Sequence, residues 1–268
     1  MGCPRFAAHR GGAALWPENS LLAMRQALGL GAPLLELDVH LASDGGLAVI
    51  HDATLERTTD GAGRVADRTT AELRRARLRG PDGRLTDERV PMLDDVLALL
   101  SPSPADLLLE IKGPRVPALY ERGPDGSVRA ITGPRYEGLE ERVLTALEAH
   151  GMVARTNVLA FNPAVLDRVR SLAPRVPTTL VIARKQVELA QGRPEETVDW
   201  ACAAGATDVG LQHTLIDDAV VAAARRGGLR VGAWTVNEED EMRRLATLGI
   251  DIITTDRPDL AARVLSRS

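Results

Sequence analysis

Cysteine is almost absent: the chain has two, Cys3 and Cys202, and no C-x-x-C pair. Neither a disulfide framework nor a thiolate zinc site is expected. Aromatic residues make up only 3%, which argues against the stacking platforms that hold single-stranded nucleic acid. No block of lysine or arginine stands out and the formal net charge is −4, so a duplex-binding footprint is not expected either. No apolar run approaches the ~20 residues that cross a bilayer. The start MGCPRFAAHRGG lacks the apolar core of a signal peptide. Its Met-Gly-Cys opening suggests lipidation, but the myristoylation pattern wants Ser or Thr where Phe6 stands. A cytoplasmic protein with no nucleic-acid partner and no stable membrane insertion is the expectation.

What is present is ordinary globular material: 268 residues, 44% hydrophobic and 26% charged. Short β-rich runs alternate with segments of 3.6-residue periodicity. The strand candidates cover residues 5–9, 34–39, 106–112, 157–161, 178–182, 206–211, 230–236 and 251–256. Between them lie helical patterns such as ENSLLAMRQALGLG, whose Gly31 suits a helix C-terminus, and NEEDEMRRLATLG. Such alternation calls for a parallel sheet with crossover helices. Eight units in a single domain spanning 1–268 suit a (β/α)₈ TIM barrel, which commonly takes ~250 residues. An open doubly wound sheet is the alternative, but HRGGAA lacks the G-x-G-x-x-G spacing of a dinucleotide site.

Two stretches break the rhythm. Residues 42–90 form an insertion after the second strand, with an extra strand GLAVIHD and a short polar helix in TAELRRARL. Residues 113–135 are rich in Gly and Pro. Both follow the C-terminal ends of strands, the face on which barrel enzymes build their sites.

Side chains two apart on a strand share a face. Glu36 and Asp38 therefore point the same way, His40 continues the series, and Glu110 and Lys112 repeat the spacing on the next strand. An unpaired buried carboxylate costs several kcal/mol. A hard divalent cation held by oxygen ligands, one Mg²⁺ or Ca²⁺, relieves that cost. The plainer alternative is ion pairing to arginines at a strand end.

Two of the five histidines, His9 and His51, end strands near these acids and could share general acid and base duties. Arg10 offers a planar fork for phosphate and Lys112 a point charge; the alternative for Arg10 is a plain surface ion pair. His150, at a helix C-terminus, is read as structural. For His40 and His213 a structural role is favoured.

HRGGAALWPENSLLAMRQAL, followed by ELDVHLASDGGLAVIHDATLERTTDGAG, resembles the glycerophosphodiester phosphodiesterase family. LLLEIKG, LAFNPAVL, VGAWTVNEEDEM and GIDIITTDRPD continue the likeness in the family's order, from about residue 7 to about residue 262. The resemblance implies a TIM barrel with a small insertion after the second strand. It implies a metal-dependent hydrolase that converts a small glycerophosphodiester to an alcohol and sn-glycerol 3-phosphate. His9 and His51 would be the acid/base pair, and Glu36, Asp38 and Glu110 the metal ligands. Arg10 and Lys112 would meet the phosphate. Trp234 and, more weakly, Phe161 would line the substrate pocket, with barrel core as the alternative for both. Asn19, in PENS where the family has PENT, would support the first loop. The nucleophile would be water or a substrate hydroxyl. Rival readings are a lysophospholipase D-like hydrolase of the same superfamily and a non-catalytic barrel that binds a phosphorylated ligand. A monomer or a homodimer is expected. Residues 115–135 match no family motif and receive no role.

Overall fold

The computed structural model describes residues 3–114, 119–124 and 126–265. Eight parallel strands form its centre: β1 (Arg5–Ala8), β2 (Leu34–Leu41), β3 (Asp106–Ile111), β4 (Thr156–Ala160), β5 (Thr178–Ile182), β6 (Asp208–Gln212), β7 (Arg230–Trp234) and β8 (Ile252–Thr255). Each pairs with its neighbour in chain order, and β1 pairs with both β8 and β2, which closes the barrel. A helix follows every strand: α1 (Leu21–Gly29), α2 (Leu93–Leu100), α3 (Leu139–Ala149), α4 (Pro163–Leu172), α5 (Glu196–Ala203), α6 (Asp218–Gly227), α7 (Glu239–Leu248) and α8 (Pro258–Leu265). The expected (β/α)₈ architecture is therefore the observed one.

Local chemistry explains the boundaries. Ser20, Asn162 and Asp217 cap α1, α4 and α6 by accepting from Ala23, Ala164 and Val220 N–H groups. Gly31 follows the end of α1 with φ +75°, a left-handed turn that costs other residues more. Among the described residues, no helix is long and apolar enough to cross a membrane.

Strand β2 shows how the fold sorts its side chains. Leu35 and Leu37 are fully buried in the layer between barrel and helices, which also holds Met24, Leu97, Leu107 and Leu109. The alternate positions face the barrel lumen. There the apolar filling is thin: Ala7, Leu34 and Leu108, with Leu159 and Ile252 partly buried against them. Above this thin layer the inward positions turn acidic.

The insertion after β2 has its own small core, including Ile50, Leu55, Val65, Leu73 and Leu78. Leu47–Val49 pairs antiparallel with β2. The helix expected in TAELRRARL spans only Thr70–Leu73, opened by a Thr69–Glu72 capping box. It stops there because Arg77–Arg79 is drawn into a ribbon with Leu85–Arg89, turned by PDG. The Gly/Pro-rich excursion after β3 contains a hairpin, Leu119–Arg122 against Val128–Ile131, although no element was expected there. Tyr120 of that hairpin stacks on Trp200 at 4.3 Å. Its residues 115–118 and 125 lie outside the described residues.

Candidate active site

Asp38 and Glu110 are direct neighbours in the β2–β3 register, and Glu36 lies one inward step below. All three are buried, and one carboxylate oxygen from each lies within 4.8 Å of the others. Three cationic or donor groups converge on them. Lys112 Nζ is 2.5 Å from Glu110 Oε1 and 2.9 Å from Asp38 Oδ1. Arg10 donates its backbone N–H to Glu36 Oε2 at 2.9 Å, and its Nε lies 3.3 Å from Asp38 Oδ2. Asn19 donates from Nδ2 to Asp38 Oδ2 at 2.9 Å, and its own Oδ1 accepts the Asp38 N–H at 3.4 Å. Arg10 and Asn19 both hold left-handed backbone, φ 52° and 59°, in the loop after β1. That conformation is unfavourable for either residue and is sustained by these contacts. Gly11 between them lies so close to α1 that a Cβ would sit 2.7 Å from Ala23 Cβ.

The charges do not balance evenly. Burial works against ionising Asp38, but Lys112 and Arg10 hold its carboxyl well below the usual range. Glu36 is pushed the other way, up to about 7, by burial and by the nearby Asp38 charge. Among the described residues its one ion-pair partner is His9, with Nε2 4.0 Å away. Lys112 Nζ meets Asp38 Oδ1 at 2.9 Å as an ion pair, so Asp38 is neutralised while Glu36 is not. An all-oxygen set of three converging acids, one of them under-neutralised, fits a hard divalent cation.

Two imidazoles stand at the same mouth. His9 follows β1, and its Nδ1 lies 2.6 Å from Asp256 Oδ1 at the end of β8. Asn237 donates from Nδ2 to Asp256 Oδ2 at 2.8 Å. His51 follows the extra strand, with Nδ1 2.6 Å from Asp52 Oδ1. Arg57 clamps Asp52 at 2.6 Å and 3.0 Å and reaches Glu18 at 2.8 Å and 2.9 Å. Glu18 in turn accepts from Arg10 at 2.9 Å. The carboxylates thus hold both rings by Nδ1 and leave Nε2 for other work. Burial lowers both imidazole pKa values; for His9 the Glu36 charge and the Asp256 hydrogen bond outweigh it, and the net shift is upward. For His51 burial prevails, aided by Lys112 and Arg10, and the shift is downward.

A cavity opens between these groups and the barrel lumen. His9, Arg10, Glu36, His51, Glu110 and Lys112 line its upper part. Phe161 and Trp234 meet edge to face in its wall at 5.6 Å, and Trp234 donates its indole N–H to Gly210 O at 3.0 Å. Trp234 and Phe161 thus face the pocket and are partly exposed there. A second groove leaves the same centre past His51, Thr54, Pro134 and Asn162.

Every residue singled out in the sequence for catalysis, metal or substrate lies at this mouth, Asn19 indirectly through Asp38. His150 instead pairs with Asp94 at 3.1 Å, and His213 with Glu241 at 2.7 Å, both away from the cavity. Glu18, Asp52, Arg57, Asn237 and Asp256 were not foreseen. Asp256 had a signal: it ends a barrel strand at the C-terminal face, where function concentrates. Asp52 had one too, directly after His51.

The model of the glycerophosphoryl diester phosphodiesterase family matches residues 9–260. A glycerophosphodiester phosphodiesterase of Caldanaerobacter subterraneus subsp. tengcongensis is 30% identical over 255 residues, covering 94% of this chain and 93% of that one. One from Bacillus altitudinis is 30% identical over 262 residues, covering 96% of each. Among solved structures, a glycerophosphodiester phosphodiesterase of Agrobacterium tumefaciens superimposes with a TM-score of 0.76 at 27% identity, covering 97% of this chain and 100% of that one. An Oleispira antarctica phosphodiesterase, solved with its product sn-glycerol-3-phosphate, shares the fold at a TM-score of 0.77 and 23% identity, covering 99% of this chain and 98% of that one.

Proposed function

The chain belongs to the glycerophosphoryl diester phosphodiesterase family, and from that premise we propose that it hydrolyses a glycerophosphodiester to an alcohol and sn-glycerol 3-phosphate. One observation carries the mechanistic part: two carboxylate-held imidazoles line a single cavity with Glu36 and Glu110, and Asp38 converges on these two acids from behind.

The residues that would hold a divalent cation are Glu36, Asp38 and Glu110. When bound, Mg²⁺ or Ca²⁺ supplies positive charge that neutralises phosphate oxygens. Arg10 and Lys112 add to that neutralisation from the chain itself, as a fork and a point charge. One imidazole takes a proton from water through Nε2 as the water oxygen bonds to phosphorus. The other gives its Nε2 proton to the alkoxide oxygen as the old P–O bond breaks. Asp256 and Asp52 keep each ring's Nδ1–H engaged, so the working nitrogen is the one facing the cavity. Such paired proton transfer typically contributes ~10²–10⁴-fold in rate. Phe161 and Trp234 give the uncharged part of the substrate an apolar wall.

The test is release of sn-glycerol 3-phosphate from glycerophosphocholine in Mg²⁺ or Ca²⁺, followed by a coupled dehydrogenase. Turnover that a chelator abolishes supports the reading. A protein that binds the diester without releasing product would contradict it.

A further inference from the structure

His40 and Tyr136 take no part in the proton transfers, yet His40 leans on the loop that carries His51, and Tyr136 leans on His40. His40 is 2% exposed and follows Asp38 on the inward face of β2. Its Nε2 lies 3.0 Å from the His51 carbonyl oxygen, and its Nδ1 3.1 Å from the Tyr136 hydroxyl. A carbonyl only accepts, so Nε2 bears the hydrogen and donates. Nδ1 of the neutral ring is then an acceptor, and the Tyr136 hydroxyl donates to it. The Tyr136 ring stands edge-on to the imidazole at 5.8 Å. Both ring nitrogens are thus engaged, and the tautomer follows from the partners.

The place of this contact gives it leverage. The ladder between β2 and Leu47–Val49 ends at the Val39–Val49 pair, after which Ile50 N–H still donates to Asp38 O at 3.0 Å. One residue further on, the His51 carbonyl rests on His40. A ~1 Å displacement of a reacting group can cost ~10²-fold in rate.

We propose that His40 and Tyr136 are positioning residues for His51. Tyr136 fixes the His40 tautomer, and His40 fixes the His51 backbone, which sets where the His51 ring stands over the acids. The proposal rests on the reading of His51 as an acid/base group. It also gives the excursion after β3 a task, since that excursion leads directly to Tyr136.

His40→Leu removes the donor and leaves a buried carbonyl unpaired, whereas Tyr136→Phe removes one hydroxyl. The expected loss in kcat is ~5- to ~100-fold for His40→Leu and ~2- to ~10-fold for Tyr136→Phe. KM and the calorimetric affinity for Mg²⁺ or Ca²⁺ stay within about twofold of wild type, the margin of ordinary surface changes. His40→Gln, which keeps an N–H donor, recovers part of the lost kcat. In a His51→Ala background neither substitution costs anything further. Long-range ¹H–¹⁵N spectra of the imidazoles read the same arrangement without turnover: wild type shows His40 with its proton on Nε2, and Tyr136→Phe shifts the Nδ1 resonance.

A His40→Leu variant with wild-type kcat overturns the proposal, as does an equal further loss in the His51→Ala background. So does a spectrum that places the proton on Nδ1, whatever the enzyme hydrolyses. Should His40→Leu fail to fold, Tyr136→Phe and the spectra decide the matter. Turnover of glycerophosphocholine by the wild type tests the catalytic reading separately.

Discussion

Replacing Asp256 by Asn would remove a charge and half of an acceptor set. Asp256 accepts from His9 Nδ1 at 2.6 Å on one oxygen and from Asn237 Nδ2 at 2.8 Å on the other. An amide offers one oxygen in place of two. If that oxygen faces His9, the new NH₂ group confronts the NH₂ of Asn237. Asn237 is not free to turn, because its Oδ1 already accepts from Asp256 N–H at 2.9 Å and Thr255 Oγ1 at 3.2 Å. If the NH₂ faces His9 instead, Nδ1 must become the acceptor and the ring proton moves to Nε2. Either arrangement forfeits a hydrogen bond to a charged group, ~1.5–3 kcal/mol. At ~1.36 kcal/mol per decade, kcat/KM should fall ~10- to ~150-fold. The assay is glycerophosphocholine hydrolysis at several pH values, with circular dichroism to confirm the fold. An Asp256→Asn enzyme with wild-type kcat/KM and an unchanged pH profile would refute the role given to this carboxylate.

Glu36→Gln should weaken Mg²⁺ or Ca²⁺ binding by at least ~10-fold in calorimetry, the scale of one lost charged contact. Burial and Asp38 raise the Glu36 carboxyl to about 7, so it is protonated below that pH. Cation affinity in wild type should therefore fall as pH drops through about 7, and binding should release a proton. Constant affinity from pH 8 to 5 would speak against Glu36 as a ligand. His40 is held down to about 4, chiefly by burial, against 6.5 for a solvated imidazole. The unfolded chain then takes up the proton first, so stability should decline as pH falls from 6.5 towards 4. The decline is worth up to ~3 kcal/mol at ~1.36 kcal/mol per pH unit. Denaturant titrations of wild type and His40→Gln check it; equal pH dependence in both would exclude His40 as its source.

The barrel was legible because its signals are repetitive. Each strand is a short buried run, and each helix behind it repeats an apolar face. Glu36 and Asp38 could be paired because a period of two is all that a strand requires. Asp52 and Asp256 have no such periodicity. Each is a lone acid at a strand or loop end, and its worth depends on a histidine 1 or 247 positions away. The ribbon Arg77–Arg79 with Leu85–Arg89 was hidden by its mostly polar residues, of which only Leu78 is buried. Arg184–Leu189 is a helix of six residues, too short to show a period. The hairpin after β3 is anchored by Tyr120 on Trp200, a contact between segments 80 positions apart that local pattern does not encode. Trp234 was ambiguous between core and pocket because it is both: its N–H is spent on the barrel wall while its ring faces the cavity.

Turnover of glycerophosphocholine by a folded His51→Ala enzyme is the most direct test of the proposed chemistry. Loss of at least ~10² in kcat, with cation binding retained, is the outcome expected of a proton-transfer group. A His51→Ala enzyme that releases sn-glycerol 3-phosphate at the wild-type rate would contradict the account.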